Sequence, residues 1–137
     1  MPRIVVVAAS RVWDTAPVGP PQPRYLNAVL ALETGGTPQE LLFALKDIER
    51  GALRRRDQRW GPRTLDLDLL LFGDAMVRTP SLTVPHPRLK ERRFVLAPLA
   101  ELAPDVLVPG AGKTVSALLF EAPEADLFPV GLYPLIR

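Results

Sequence analysis

The chain has no cysteine, three lysines, a single histidine and no long apolar run. The absence of cysteine excludes a disulfide framework, a thiolate metal site and a thiol nucleophile. No apolar run approaches the roughly 20 residues of a membrane-spanning helix, and the first ten residues are too poorly flanked for a signal peptide. We therefore expect a cytoplasmic protein with no membrane partner.

The remaining composition is typical of one folded domain. Of the 137 residues, 47% are hydrophobic and 23% are charged, close to the averages for globular proteins. A chain of this length buries a core without disulfides or metals. The sixteen prolines are spread along the chain and separate short elements. We expect a single domain over residues 1–137 and a monomer.

Positive charge is concentrated in arginine. Fourteen of the 17 basic residues are arginines, although the net charge is only +2. Two clusters comprise Arg50, Arg54, Arg55, Arg56, Arg59 and Arg63, and then Arg88, Lys90, Arg92 and Arg93. Guanidinium groups bind phosphate oxygens in pairs and keep their proton near neutral pH, which favours a phosphorylated ligand. A solvated basic face is an equal alternative for such clusters.

The start of the chain predicts two paired strands. Residues Ile4–Ala9 are β-branched and apolar, which is typical of a strand buried on both faces. A loop rich in proline follows, over residues 14–23. Residues 25–32 then predict a second strand, paired antiparallel with the first across that loop.

A helix is predicted next. Thr37 as N-cap, Pro38 at the first helical position and Glu40 three residues after the cap form a capping box. The helix should end near Gly51, followed by an arginine-rich loop over residues 52–63. Its apolar stripe, expected to lie on the sheet, comprises Leu41, Leu42, Leu45 and Ile48.

Residues 64–72, TLDLDLLLF, predict a third strand that ends in a turn at residues 73–74. Asp66 and Asp68 would project from one face of this strand, about 7 Å apart. Two such carboxylates repel each other unless one is protonated, each has its own cation, or both share a multivalent cation. Oxygen ligands suit Mg²⁺, but a solvated face or salt bridges to arginine are more frequent for this pattern alone.

The preceding sequence RWGPRT favours the magnesium alternative. A rigid Gly-Pro turn would hold Arg63 close to Asp66 and Asp68. Arg63 could serve only as a structural partner of Asp66. The same arrangement would also let a metal and a guanidinium bind a polyphosphate from two sides.

Two further helices are predicted over residues 94–102 and 114–121. The overall pattern is α+β, with an antiparallel sheet covered by helices.

A single histidine such as His86 more often has a structural role than a catalytic one. Its neighbouring arginines favour the neutral form of the ring, which could donate a hydrogen bond to phosphate. Aromatic residues usually lie in the core. Beside a loop, however, they can stack on a flat heterocycle, and Tyr25 or Asn27 could then bind its polar edge. The candidates are Trp13, Trp60 and Phe94.

Three segments together resemble one family. They are TAPVG…YLNAVLALET (residues 15–34), RWGPRTLDLDLLLFG (59–73) and LTVPHPRLKERRFVLAPLAELAPD (82–105). In this order they resemble 6-hydroxymethyl-7,8-dihydropterin pyrophosphokinases of the folate pathway, and the match extends over essentially the whole chain. The resemblance implies a ferredoxin-like fold and two small-molecule substrates, ATP and hydroxymethyl-dihydropterin, with no nucleic-acid partner.

The resemblance also implies residue roles. Asp66 and Asp68 match aspartates that hold two Mg²⁺ ions across the triphosphate, and Arg54 and Arg63 match arginines that close over the reacting phosphates. The nucleotide contacts are Leu42, Glu49, Arg56, Leu69, Thr83, His86 and Arg92. The pterin pocket comprises Thr15, Val18, Tyr25, Asn27, Trp60 and Phe94, with Trp60 and Phe94 stacked on the ring. The pterin hydroxymethyl oxygen attacks the β-phosphorus and AMP leaves, while the protein supplies position and charge.

Members of this family begin with a further strand, loop and helix, ahead of the strand that Ile4–Ala9 resembles. Loss of a central strand leaves neighbouring backbone groups unpaired, at about 1–3 kcal/mol for each unmade buried hydrogen bond. We therefore expect an N-terminally incomplete ferredoxin-like domain whose native form begins upstream.

Two alternatives remain open from the sequence. The first is a non-catalytic, truncated remnant of the family. The second is a basic RNA-binding α+β module, although the chain has no paired aromatic residues on adjacent strands for base stacking.

Overall fold

The computed structural model describes residues 3–16, 24–55 and 65–132, and for residues 53–55 it describes the backbone alone. Within these ranges the strand pairs are antiparallel, so the α+β class is confirmed. No helix in the described ranges has the length and apolar character needed to cross a membrane. The elements are β1 (Ile4–Ala9), β2 (Val12–Thr15), β3 (Tyr25–Asn27), β4 (Leu30–Thr34), α1 (Pro38–Arg55), β5 (Val77–Arg78), β6 (Thr83–Val84), α2 (Arg93–Leu102), β7 (Leu107–Val108), β8 (Lys113–Thr114), α3 (Val115–Glu121) and β9 (Leu127–Gly131).

The first four strands form an antiparallel ribbon, which we call the N-terminal ribbon. One half pairs β1 with β4, and the other half pairs β2 with β3. Strand β9 adds to the free edge of β2, so this half becomes a three-stranded sheet in the order β3-β2-β9. The antiparallel pairing expected across the proline-rich loop is confirmed.

The strand ladder is interrupted at Ser10, and the expectation of one unbroken strand over residues 25–32 is wrong. The buried Ser10 exchanges backbone and side-chain hydrogen bonds with Val29, each 2.9 Å long. Its Oγ also donates to the carbonyl of Arg11 at 2.7 Å. Such local side-chain bonds compete with the strand ladder. Residues 28–29 therefore separate β3 from β4.

Strand β1 is not buried on both faces, contrary to the sequence expectation. Val5, Val6 and Val7 are 38%, 44% and 52% exposed. Among the described strands β1 pairs with β4 alone, so this half of the ribbon is two strands wide. An apolar strand becomes buried on both faces only where other layers cover it.

Helix α1 begins as the sequence predicts. The Thr37 Oγ1 accepts from the Glu40 N–H at 3.1 Å, and the Glu40 carboxylate accepts from the Thr37 N–H at 2.8 Å. Leu41 and Leu45 are buried, but Ile48 is 51% exposed and so does not continue the packed stripe. This stripe is therefore shorter than expected.

The end of α1 also differs from the expectation. The helix passes through Gly51 to Arg55, and the backbone of Arg54 lies in its last turn rather than in a loop. A glycine inside a helix costs about 1 kcal/mol relative to alanine. The residues that follow it, alanine, leucine and arginine, are good helix formers that offset this cost.

The predicted third strand is absent from the described residues 65–72. This segment makes isolated contacts instead of a ladder. The His86 N–H donates to the Leu70 carbonyl at 2.9 Å, and the Leu67 N–H donates to the Glu49 Oε2 at 2.5 Å. A strand needs a neighbouring strand for its backbone groups, and the described residues provide none here. The turn at residues 73–74 is confirmed.

The apolar core lies around α2 and α3, both of which begin and end within one residue of their predicted positions. Thr114 caps α3 by accepting from the Ala117 N–H at 3.1 Å. The buried members of the core are Leu89, Leu96, Leu99, Val108, Val115, Leu118 and Ala122. We call residues 89–122 the helical core region.

Candidate active site

A groove of about 1160 Å³ lies between the N-terminal ribbon, α2 and the segment 65–73. Strands β3 and β4 form one wall, and Phe94 on α2 contributes to another. The groove brings together five residues that the sequence assigns to two different subsites: Asn27, Asp66, Asp68, Leu69 and Phe94. Both predicted metal ligands and two of the predicted pterin contacts, Asn27 and Phe94, therefore line one cavity.

The two aspartates of the groove are exposed to solvent. Within the described ranges, neither the Asp66 nor the Asp68 carboxylate has a hydrogen-bond or ion-pair partner that would neutralise it. Their oxygens therefore remain available to an external cation. An all-oxygen donor set suits Mg²⁺ rather than softer metals.

The aspartates fit a magnesium ion that also binds a ligand. The described residues contain no cluster of three or more acidic or histidine side chains that could enclose a metal. Mg²⁺ is usually bound through one or two carboxylates, with substrate phosphates and water completing its coordination. A pair of carboxylates beside a groove meets that requirement.

Glu49 fixes the backbone between the two aspartates. Its Oε2 accepts from the N–H of Leu67, while its Oε1 lies 3.5 Å from the Lys46 Nζ. This contact attaches α1 to the segment 65–73, which contains the two aspartates. The side chain is 18% exposed.

His86 lies near the segment 65–73, and one hydrogen bond fixes the orientation of its ring. Its Nδ1 accepts from the Arg88 N–H at 3.2 Å, which leaves Nε2–H as a donor. Burial lowers the pKa of His86; the charge of Asp68 opposes this shift, and the charges of Arg92 and Arg88 reinforce it. The ring is therefore a neutral hydrogen-bond donor near pH 7.

His86 and Thr83 line a second cavity of about 820 Å³, which also contains residues of β5 and the loop after β7. The predicted nucleotide contacts are thus divided between two cavities, with Leu69 in the groove and these two residues in the other. The His86 backbone connects the two through its hydrogen bond to Leu70, which lines the groove.

Arg92 and Arg93, from the second arginine cluster, have different roles. The Arg92 guanidinium lies 5.7 Å from the centre of the Phe94 ring, within the range of a cation–π contact. Arg93 donates to the carbonyls of Ala122 and Pro123 at 2.9 and 3.1 Å, so it attaches α2 to the end of α3. Arg93 is therefore a structural residue rather than part of a phosphate-binding cluster.

Thr15 orients the side chain of Asn27, which lines the groove. It is 1% exposed, and its Oγ1 accepts from the Asn27 Nδ2 at 2.8 Å. This bond fixes the direction of the Asn27 amide, whose oxygen is left for other partners. Tyr25 lies opposite Thr15 in the strand register and is 49% exposed.

Several predicted site residues are not among the lining of either cavity. Within the described side chains these are Thr15, Tyr25, Leu42, Glu49 and Arg92. Four others lie outside the described residues, namely Val18, Arg56, Trp60 and Arg63.

Two charged residues near the site were missed from the sequence. Glu101 binds Arg11 and Trp13, and Arg24 binds Asp14 and Asp126 across β2, β3 and the start of β9. Hydrogen bonds that Arg24 donates to Asp126 and Asp14 raise the pKa of Arg24 above its ordinary value. The Glu101–Arg11 and Arg24–Asp126 contacts join residues 90 and 102 positions apart, so no local pattern could reveal them, whereas Arg24 and Asp14 are 10 positions apart.

The groove therefore combines two exposed carboxylates with an aromatic ring and an amide, groups that suit a phosphorylated ligand and a flat polar ring. Comparison with known proteins specifies the family. The family model described as 7,8-dihydro-6-hydroxymethylpterin-pyrophosphokinase (HPPK) matches residues 1–104. The chain belongs to this family.

Relatives named 2-amino-4-hydroxy-6-hydroxymethyldihydropteridine pyrophosphokinase align over most of the chain. The protein from Pseudomonas aeruginosa is 48% identical over 124 residues, which is 90% of this chain and 76% of the relative. The Synechocystis protein is 43% identical over 93% of this chain and 65% of its own length. The Methylorubrum extorquens protein is 42% identical over 96% and 79%, respectively. These similarities favour neither the RNA-binding alternative nor the remnant.

Proposed function

We propose that this chain transfers diphosphate from ATP to 6-hydroxymethyl-7,8-dihydropterin and releases AMP, as a step of tetrahydrofolate biosynthesis. The groove carries the proposal, because it holds Asp66 and Asp68 in the same cavity as Asn27 and Phe94. A diphosphate transfer needs the triphosphate and the acceptor alcohol side by side. The relatives are named as pyrophosphokinases of this pterin, which supports the same reaction.

Asp66 and Asp68 are the proposed ligands of two Mg²⁺ ions. Bound there, magnesium would neutralise the charge of the triphosphate. The two side chains fit this role because they are exposed, lie in the groove and have no cationic partner among the described residues. Glu49 holds the backbone between them through Leu67.

The phosphate contacts are proposed to come from several cationic or donor side chains. His86 presents Nε2–H as a neutral donor, because its Nδ1 is occupied by the Arg88 N–H. The remaining proposed contacts rest on the family resemblance and are Arg54, Arg56, Arg63 and Arg92. A guanidinium beside the transferred phosphoryl group stabilises charge that develops in the transition state.

The pterin is proposed to bind in the same groove, against Phe94 and Asn27. The Phe94 ring offers a stacking face, and the Asn27 amide, held by Thr15, offers a fixed acceptor for the polar edge. Tyr25, Val18 and Trp60 complete the proposed pocket. Leu42, Leu69 and Thr83 are proposed to contact the nucleotide.

Formation of AMP tests the proposal directly. The purified chain is incubated with ATP, Mg²⁺ and 6-hydroxymethyl-7,8-dihydropterin, and AMP and the pterin diphosphate are quantified by chromatography. We expect the two products in equal amounts, and none when the pterin or Mg²⁺ is omitted. Formation of ADP instead of AMP, or no product, would reject the proposed reaction.

A further inference from the structure

Glu101 joins α2 to the N-terminal ribbon through contacts of both its carboxylate oxygens. Its Oε1 accepts from the Arg11 backbone N–H at 2.8 Å, and its Oε2 accepts from the Arg11 Nε and the Trp13 Nε1, both at 3.0 Å. The Arg11 guanidinium also makes an ion pair with Oε2 at 2.9 Å. The Glu101 side chain is 22% exposed.

These contacts outweigh the cost of partial burial. Burial acts to raise the pKa of Glu101, but the hydrogen bonds from the Arg11 backbone and side chain, its charge and the Trp13 donor hold the pKa below its ordinary value. Glu101 is therefore ionised at neutral pH, when its bonds to the ribbon are charge-assisted. Such bonds are shorter and stronger than those between neutral groups.

Glu101 lies on the same face of α2 as Phe94. The two residues are seven positions apart in a helix of ten residues. Seven residues at 3.6 per turn are nearly two full turns, so the side chains point in almost the same direction, about 10 Å apart along the axis. The face of α2 that contributes Phe94 to the groove therefore also carries Glu101.

The ribbon side of this contact has a matching arrangement. Trp13, which donates to Glu101, lies directly opposite Asn27 in the β2–β3 register. Residues directly opposite each other in an antiparallel pair project their side chains from the same face. The donor to Glu101 and the Asn27 amide of the groove are thus neighbours on one face of the ribbon.

We propose that Glu101 is a positioning residue for the pterin: it sets the separation between Phe94 on α2 and Asn27 on β3. The inference rests on the proposed function, because it assigns the pterin to these two residues. Loss of the contact moves the ring and the amide relative to each other, and a flat ligand that needs both loses affinity. Asp66 and Asp68 belong to a different segment, so we expect the KM for ATP to change less than the KM for the pterin.

The test compares Glu101→Ala with Glu121→Ala, the same truncation of an α3 carboxylate that pairs with Lys113 at 2.7 Å. For each variant we would measure kcat, the KM for the pterin and the KM for ATP. The dissociation constant of the pterin would also be measured with α,β-methylene-ATP present. We expect Glu101→Ala to raise the pterin KM and dissociation constant about tenfold and to change the ATP KM less than about twofold. Glu121→Ala should leave all four values unchanged.

A milder variant covers the case in which Glu101→Ala does not fold. Trp13→Phe keeps an aromatic ring but removes the Nε1 donor together with part of the indole volume, and we expect the pterin KM to rise about threefold with the ATP KM unchanged. A parallel rise of both KM values, or no rise, in the variant that folds overturns the positioning role. If the unmodified chain forms no AMP, the proposed function fails and the inference fails with it, whereas an active parent with unselective variants overturns the inference alone.

Discussion

The helical core region and the N-terminal ribbon contain similar apolar residues but bury them differently. In the helical core region Leu96 and Val115 are fully buried between two helices and the loops around them. In the ribbon three consecutive valines of β1 are between 38% and 52% exposed. The difference shows that apolar composition becomes burial only where a second layer covers the element.

The proposed functional groups lie mainly on the less packed side. The ribbon and the segment 65–73 contribute Asn27, Asp66 and Asp68 to the groove, and the helical core region contributes Phe94 at its edge. An open groove between an exposed ribbon and a packed helical layer leaves space for substrates, while the core holds one wall in place. The following variants test this division between stability and activity.

Leu96→Ala should have the largest effect on stability. The side chain is fully buried in the core cluster, so its truncation should lower the free energy of unfolding by about 2–5 kcal/mol. Leu26→Ala in the ribbon is the control, since Leu26 is 68% exposed and its loss should change stability by less than about 0.5 kcal/mol. Urea denaturation measures both values. Equal losses from the two variants would show that the ribbon is as tightly packed as the core.

Asp68→Ala should have the largest effect on activity with little effect on folding. Even residues that merely orient a metal ligand typically cost about 10- to 100-fold when changed, so removal of a ligand should lower kcat more than about 100-fold. The free energy of unfolding should stay unchanged, because the exposed carboxylate has no partner among the described residues. Asp74→Ala, in the turn that follows, should remain active. Near-normal turnover of Asp68→Ala would contradict the metal-binding role.

Phe94→Leu should have a moderate effect confined to the pterin. Loss of an aromatic stacking partner costs about 0.5–1.5 kcal/mol, which corresponds to a rise of about 2- to 13-fold in the pterin KM. Phe120→Leu is the control, because Phe120 is 87% exposed on α3 and lies outside the groove lining. Steady-state kinetics with each substrate varied separately distinguish the two. A rise in the ATP KM alone would place the ring on the nucleotide side.

The smallest expected effect is a pH dependence of stability from His86. Burial lowers the pKa of this group in the folded chain, so the unfolded chain takes up the proton at a higher pH. The contribution of His86 to the free energy of unfolding should therefore be fully present above about pH 6.5. It should be lost as the pH is lowered toward the pKa of His86 in the folded chain. His86→Asn should flatten this decline between pH 7.5 and 5.5, measured by urea denaturation. Because His86 is the single histidine, a parent whose stability rises on acidification in this interval would contradict the assignment.

Local elements were predicted well, and the contacts between distant segments were not. The capping box at Thr37 and the bounds of α2 and α3 depend on residues within a few positions of one another. The strand over residues 64–72, the burial of β1 and the packing of Ile48 depend on what lies beside each element. Those predictions failed because, within the described residues, no covering layer or neighbouring strand lies beside these segments.

The sequence by itself determined the α+β class, the helix starts, the pair of acidic residues and the family, because these reside in residue type and spacing along the chain. Only the tertiary structure decided that Asp66, Asp68, Asn27 and Phe94 share one groove, that Arg93 is structural and that Glu101 connects α2 to β2. Such relations join segments up to about 90 residues apart. They depend on how the layers pack, which no local pattern of residues encodes.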